Sequence, residues 1–177
     1  MTDNSSLYEQ CRINLEQLSS WYAGHSGERN EATTRVQLID RLFFECLGWS
    51  RDDMTAEEHH GGAYADYVFS APRKLLIVEA KREGDYFELP SGMDNIEYSL
   101  KTLCRDYPKL KSAIEQVADY CYKRGVPNAT VCNGHQLVVF IALRLDMPAL
   151  DGRALVFPSL EFMSTHFLDL WQGLSKK

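Results

Sequence analysis

Ala65-Asp66-Tyr67-Val68-Phe69 and Lys74-Leu75-Leu76-Ile77-Val78-Glu79-Ala80-Lys81 are the two stretches on which the reading of this chain turns. Each is a short apolar run of strand character, and each carries one acid. The second adds a lysine two residues beyond its acid. Side chains at i and i+2 of a strand share a face, so Glu79 and Lys81 point the same way. An antiparallel neighbour can bring Asp66 beside them. Two carboxylates with an adjacent ammonium make a hard-oxygen site for a divalent cation, with a positive group placed to steer a water or a phosphate. That combination suits metal-assisted cleavage of a phosphodiester.

Outward from these strands the pattern alternates helices and short strands. Leu7, Cys11, Leu15, Leu18 and Trp21 recur at helical spacing and predict a helix over about 7–22, closed by Gly24-His25-Ser26-Gly27. A second helix is predicted over about 28–47, with Val36, Ile39, Leu42, Phe43 and Cys46 as its buried stripe and Gly48 as its stop. Met54 to His59 reads as a weak strand, Gly61-Gly62 as a turn, Tyr64 to Ser70 as a strand, and Leu75 to Ala80 as a strand buried on both faces. Residues 82–108 hold the breakers Glu83-Gly84-Asp85 and Pro90-Ser91-Gly92, with a short helix near Asn95 to Leu103. A helix over Leu110 to Arg124 ends at Gly125-Val126-Pro127. Two strands, Ala129 to Cys132 and Gln136 to Leu143, flank a tight turn at Asn133-Gly134. Ala154 to Phe157 reads as a last strand and Ser159 to Leu174 as a final helix. This order implies an α/β or α+β domain with a central mixed sheet flanked by helices.

The chain's 177 residues fit one domain with a sizeable core. No apolar run approaches the ~20 residues needed to cross a bilayer, and the start lacks signal-peptide character, so a cytoplasmic protein without a membrane partner is expected. Five scattered cysteines, with no C-x-x-C pair, predict buried thiols in a reducing compartment rather than a zinc ribbon or a disulfide framework. The net charge of −6 opposes tight binding of a polyanion by the monomer. A local basic face would have to draw on Arg73, Lys74, Lys81 and Arg82, or on Lys101, Arg105, Lys109, Lys111, Lys123 and Arg124. Otherwise a homo-oligomer, or a fused or associated module, must hold the nucleic acid.

Three further sets of residues bear on chemistry. Glu31 stands at the start of the second helix, where the helix dipole alone accounts for a carboxylate and where it could also reach the metal site. Gln116 and Tyr120 are four apart on one helix and so are neighbours. They read either as a polar stripe or as a pair that orients Lys81 or touches a phosphate. His59 and His60 are adjacent, point to opposite sides of a strand, and so make a poor zinc site. There is no Gly-rich phosphate loop and no pattern for a nucleophilic triad.

Taken in order, Asn30-Glu31-Ala32-Thr33-Thr34-Arg35, Leu47-Gly48-Trp49, Ala65-Asp66-Tyr67-Val68-Phe69, Val78-Glu79-Ala80-Lys81-Arg82, Gln116-Val117-Ala118-Asp119-Tyr120 and Cys132-Asn133-Gly134-His135-Gln136-Leu137 resemble the PD-(D/E)XK nuclease superfamily. The likeness is to the N-terminal nuclease domain of type I restriction enzyme R subunits and to related antiphage effector nucleases. It spans about 31–140. It departs from the motif at Ala65, where the family name has proline. The resemblance implies a restriction-endonuclease-like core and a Mg²⁺-dependent (or Mn²⁺-dependent) DNA endonuclease acting in restriction or antiphage defence. It also implies a chain able to serve as the N-terminal effector domain of a longer protein, joined to an NTPase or sensor module. Asp66, Glu79 and the Ala80 backbone carbonyl would hold the metal, with Glu31 as an auxiliary acid. Lys81 would position the attacking water, and Gln116 and Tyr120 would match the Gln-x-x-x-Tyr element. Products would carry a 5′-phosphate and a 3′-hydroxyl. The competing expectations are a noncatalytic nucleic-acid or partner-binding module on the same scaffold, and an RNA nuclease.

Overall fold

The two acid-bearing strands pair side by side, as their pattern requires. In a computed structural model of the chain, β2 (Ala63–Ser70) runs antiparallel to β3 (Lys74–Ala80), with Tyr67 opposite Val78 and Val68 opposite Ile77. The structure describes residues 4–25, 27, 29–60, 63–82, 87–90 and 92–176, with the description of 4, 57–60, 63 and 64 confined to the backbone. The turn expected at Gly61-Gly62 and the breakers Glu83-Gly84-Asp85 and Ser91 lie outside the described residues.

The other strands are β1 (Met54–His60), β4 (Glu97–Ser99), β5 (Asn128–Cys132), β6 (Leu137–Ile141) and β7 (Arg153–Phe157). They complete one seven-stranded sheet in the order β1-β2-β3-β5-β6-β7-β4. Only β3 and β5 are parallel; every other pair is antiparallel. The expected mixed sheet is therefore present. β3 is internal, and its last five residues are buried, in accord with its unbroken apolar pattern.

Helices cover both faces. One face carries α1 (Asn4–Ala23), α2 (Glu31–Thr34), α5 (Leu160–Thr165) and α6 (Phe167–Leu174). Its core includes Leu15, Leu18, Leu38, Phe43, Phe69, Val78 and Leu170. The other face carries α3 (Leu100–Asp106) and α4 (Pro108–Arg124), packed through Leu103, Leu110, Ile114 and Val117 onto Ile77, Ala129 and Val131. Gly125 ends α4 in the left-handed region, as its position after Arg124 predicts. All five cysteines are free and buried. Among the described residues no helix is long and apolar enough to cross a membrane.

Several local expectations change. α2 starts at Glu31, where the Asn30 side chain accepts a hydrogen bond from the Thr33 N–H at 2.8 Å. It then passes through two π-helical turns, Arg35–Ile39 and Leu42–Cys46. Each wider turn rotates the residues after it about the helix axis. The buried stripe accordingly holds Leu38, and Val36, expected inside, is 64% exposed. The helix expected near 95–103 is strand first: Glu97–Ser99 pairs with β7, and the Ser99 side chain then caps α3. The final helix divides at His166, whose ring lies back on Phe162 at 3.9 Å.

Candidate active site

Asp66 and Glu79 come level one step beyond the Tyr67–Val78 pair, at the carboxyl end of β3. Glu79 and Lys81 follow Ile77 at steps of two and share its α4-side face. Beside them ends β5, the parallel neighbour of β3. The Lys81 N–H donates to the Cys132 carbonyl at 2.7 Å, and this pins the lysine's backbone at the seam. The carboxyl ends of parallel strands are a frequent place for ligands in open α/β sheets, because loops and helix starts converge there.

The groups at this rim are tightly coupled. Asp66 Oδ2 accepts the Ala80 N–H at 2.7 Å, which aims the carboxylate across the strand pair. Lys81 Nζ donates to Glu79 Oε1. Glu79 is 3% exposed, and so almost wholly shielded from solvent. Burial pushes its carboxyl up to about 7; the Lys81 ammonium opposes the rise, and the charges on Asp66 and Glu31 add to it. Burial likewise raises Asp66 above the ordinary carboxylate range, against the pull of the Ala80 N–H, Arg35 and Lys81. The buried Glu79 and the half-buried Asp66 are costly to ionise together, and a bound cation would relieve that cost.

α2 approaches the same rim from the opposite face. Its entry is fixed by Arg29, which lies over Trp21 and Tyr22 at 5.5 Å from each ring, and by Tyr22 stacked on His135 at 5.4 Å. Glu31 is exposed, and its charge acts on both Asp66 and Glu79. Gly134 lets α2 come close: its φ is +98°, and a Cβ there would meet Leu38 Cδ1 at 2.7 Å and Thr34 Cγ2 at 3.0 Å. The tight turn expected at Asn133-Gly134 is a four-residue connection, 133–136. Within it the buried Gln136 side chain bonds the Leu89 N–H and carbonyl and the Pro158 carbonyl. That amide ties residues 87–90 over the sheet end.

Tyr120 is buried in the α4-side core, and Gln116 is exposed. Among the described residues no hydrogen bond joins Gln116 to Asp66, Glu79 or Lys81. The side chains of His59 and His60 lie outside the description. Of the basic residues considered for a nucleic-acid face, Lys101, Arg105, Lys111 and Lys123 sit beside Asp151, Asp106, Glu115 and Asp119. Those four therefore add little net positive charge to that side.

Sequence reasoning gave no role to Arg35. Its guanidinium lies 3.8 Å from Asp66 Oδ1, donates to the Asp66 carbonyl at 3.4 Å, and covers the Tyr67 ring at 4.9 Å. The Tyr67 hydroxyl in turn donates to Asp40 at 2.7 Å. The available signal was its spacing of four from Glu31, which brings two charged residues to one side of a helix start.

Among the described residues no group of three His, Cys, Asp or Glu side chains is gathered for a metal ion. The donors expected from the sequence are two carboxylates and the Ala80 carbonyl. Such a set fits Mg²⁺, which keeps several waters and is commonly held through one or two carboxylates together with substrate phosphate. It does not resemble a closed zinc or calcium cage. A cavity of about 680 Å³ lies at the other end of the sheet, lined by Asn128, Ile141, Arg144 and Leu155 among others, and shares no residue with the acid pair.

No family model matches the sequence, and no curated protein matches it significantly. A solved structure of the type IIG restriction endonuclease BpuSI is similar at 14% identity and a TM-score of 0.37, over 96% of this chain and 16% of that one.

Proposed function

We propose that this chain is a metal-dependent nuclease domain that hydrolyses phosphodiester bonds in DNA. The reading rests above all on one observation: Glu79, buried and carrying Lys81 on one oxygen, stands level with Asp66 on the adjoining strand. Asp66, Glu79 and the Ala80 carbonyl would hold Mg²⁺ or Mn²⁺, with Glu31 adding negative charge at the rim. Bound there, the dication would polarise the scissile phosphate and lower the pKa of the attacking water. Lys81 leaves Glu79 to contact that water or the phosphate, and the Ala80 N–H keeps the Asp66 carboxylate aimed. Gln116, exposed on α4, and Tyr120, buried on the same helix, would orient Lys81 or touch a phosphate. Restriction or antiphage defence, with an NTPase or sensor module supplying the hold on DNA, is the setting this reading favours, since the chain is acidic.

The test is plasmid cleavage with Mg²⁺, with EDTA, and with Lys81→Ala. Cutting that needs the metal and falls at least about 100-fold in the variant supports the assignment. Unchanged cutting by Lys81→Ala overturns it. A noncatalytic binding module is the second reading, and the direct engagement of Glu79 by Lys81 is the observation in its favour. Calorimetric titration with Mg²⁺ separates the two, because a mere scaffold has no need to take up the ion. Parallel digestion of RNA decides the polymer.

A further inference from the structure

We infer that Arg35 is the phosphate anchor of this site: its guanidinium contacts a backbone phosphate of the nucleic acid next to the acid pair. The inference rests on the nuclease reading and extends it to a residue outside the acid and lysine set.

Three observations carry it. The guanidinium reaches the rim itself, 3.8 Å from Asp66 Oδ1, and is 19% exposed. It is therefore held at the site yet remains accessible to a ligand. Its contact with the Asp66 carboxylate, at 3.8 Å, is charge attraction rather than a hydrogen bond, while it donates to the Asp66 carbonyl and to the Tyr67 hydroxyl, each at 3.4 Å. Asp66 Oδ2 is committed to the Ala80 N–H at 2.7 Å. The plane of the guanidinium is set by the Tyr67 ring at 4.9 Å, and Tyr67 is fixed by Asp40. A stacked, oriented arginine is well suited to phosphate, whose oxygens match its fork.

Formal charge at the rim points the same way. Asp66, Glu79 and Glu31 bring three negative charges, and Lys81 and Arg35 two positive. A dication turns that balance positive by one, and a single phosphodiester restores neutrality. Once Asp66 gives its charge to a cation, the guanidinium loses its counterion, and the incoming phosphate replaces it. Lys101, Arg105, Lys111 and Lys123 each sit beside an acid, so those four add little net positive charge.

The experiment measures binding of a fluorescent DNA duplex by anisotropy across a series of NaCl concentrations, with Ca²⁺ in place of Mg²⁺, for the full chain and for Arg35→Gln. Loss of one phosphate contact lowers the slope of log K against log salt by about 0.9 for duplex DNA. The affinity difference should shrink as salt rises. In parallel, phenylglyoxal labelling of the unaltered protein is read by mass spectrometry at the Arg35 peptide, with protection by DNA expected. This second measurement decides the matter if Arg35→Gln fails to fold. An unchanged slope with unchanged labelling means that Arg35 only braces helix to strand, and overturns the inference. The expected slope loss in Arg35→Gln, together with wild-type protein that binds but never cuts in Mg²⁺, refutes the nuclease reading and leaves the anchor standing. Wild-type protein that does not bind DNA even at the lowest salt refutes the anchor, and Mg²⁺-dependent plasmid cutting decides the nuclease reading separately.

Discussion

Glu79→Gln should stabilise the metal-free protein, and increasingly so as pH rises. The wild-type carboxyl is 3% exposed and is pushed from its ordinary 4.5 up to about 7. It therefore binds its proton more tightly folded than unfolded. Its contribution to stability is complete below about pH 4.5 and is lost as pH rises through about 7. A displacement of that size corresponds to about 3 kcal/mol when the group is fully ionised. Glutamine has nearly the same shape and can still accept from Lys81, but it carries no charge. From pH 5 to pH 8 the stability advantage of Glu79→Gln over wild type should grow by about 2 kcal/mol. Urea denaturation in EDTA at the two pH values measures it. Mg²⁺ at pH 8 should then raise the wild-type midpoint and leave that of Glu79→Gln nearly still, because only the acid gains a counter-charge. An advantage that stays flat or shrinks with pH would refute the claim that Glu79 is a buried, destabilised carboxylate.

Other substitutions test the scaffold around the site. Gly134→Ala places a Cβ against Leu38 and Thr34 at a positive φ; it should cost about 2 kcal/mol in denaturant unfolding and weaken Mg²⁺ binding measured by calorimetry. Gln136→Ala leaves the Leu89 N–H and two carbonyls without their buried partner. A loss of about 3 kcal/mol is expected, with faster amide exchange at Leu89. Thr130 Oγ1 is buried with no hydrogen-bond partner among the described residues. Thr130→Val should be neutral or stabilising by about 1 kcal/mol, and a loss of that size would reveal a partner for the hydroxyl.

The strand pair was legible because its signal is local. Alternation and an apolar run placed Asp66, Glu79 and Lys81, and period two put the last two on one face. The α1 and α4 helices were legible for a similar reason, since their apolar residues repeat at regular helical spacing. α2 was only half legible. Its periodic stripe assumed a uniform helix, and the π turns that bury Leu38 and expose Val36 leave no mark in a 3.6-residue pattern. The 95–103 segment failed because Glu97–Ser99 is strand only through pairing with β7, a partner more than fifty residues away. Intrinsic propensity carries no information about so distant a neighbour.

The sequence by itself determined which residue types could meet: two acids and a lysine at the ends of adjoining strands, in a chain of net charge −6. Only the tertiary structure decided how those groups are solvated and who stands beside them. It buried Glu79, left Gln116 exposed, and carried Arg35 around the sheet rim to Asp66. The physical reason is that side-chain direction within one element is fixed by local backbone geometry. Burial and charge pairing arise instead between elements far apart in the chain, from packing that no local pattern encodes.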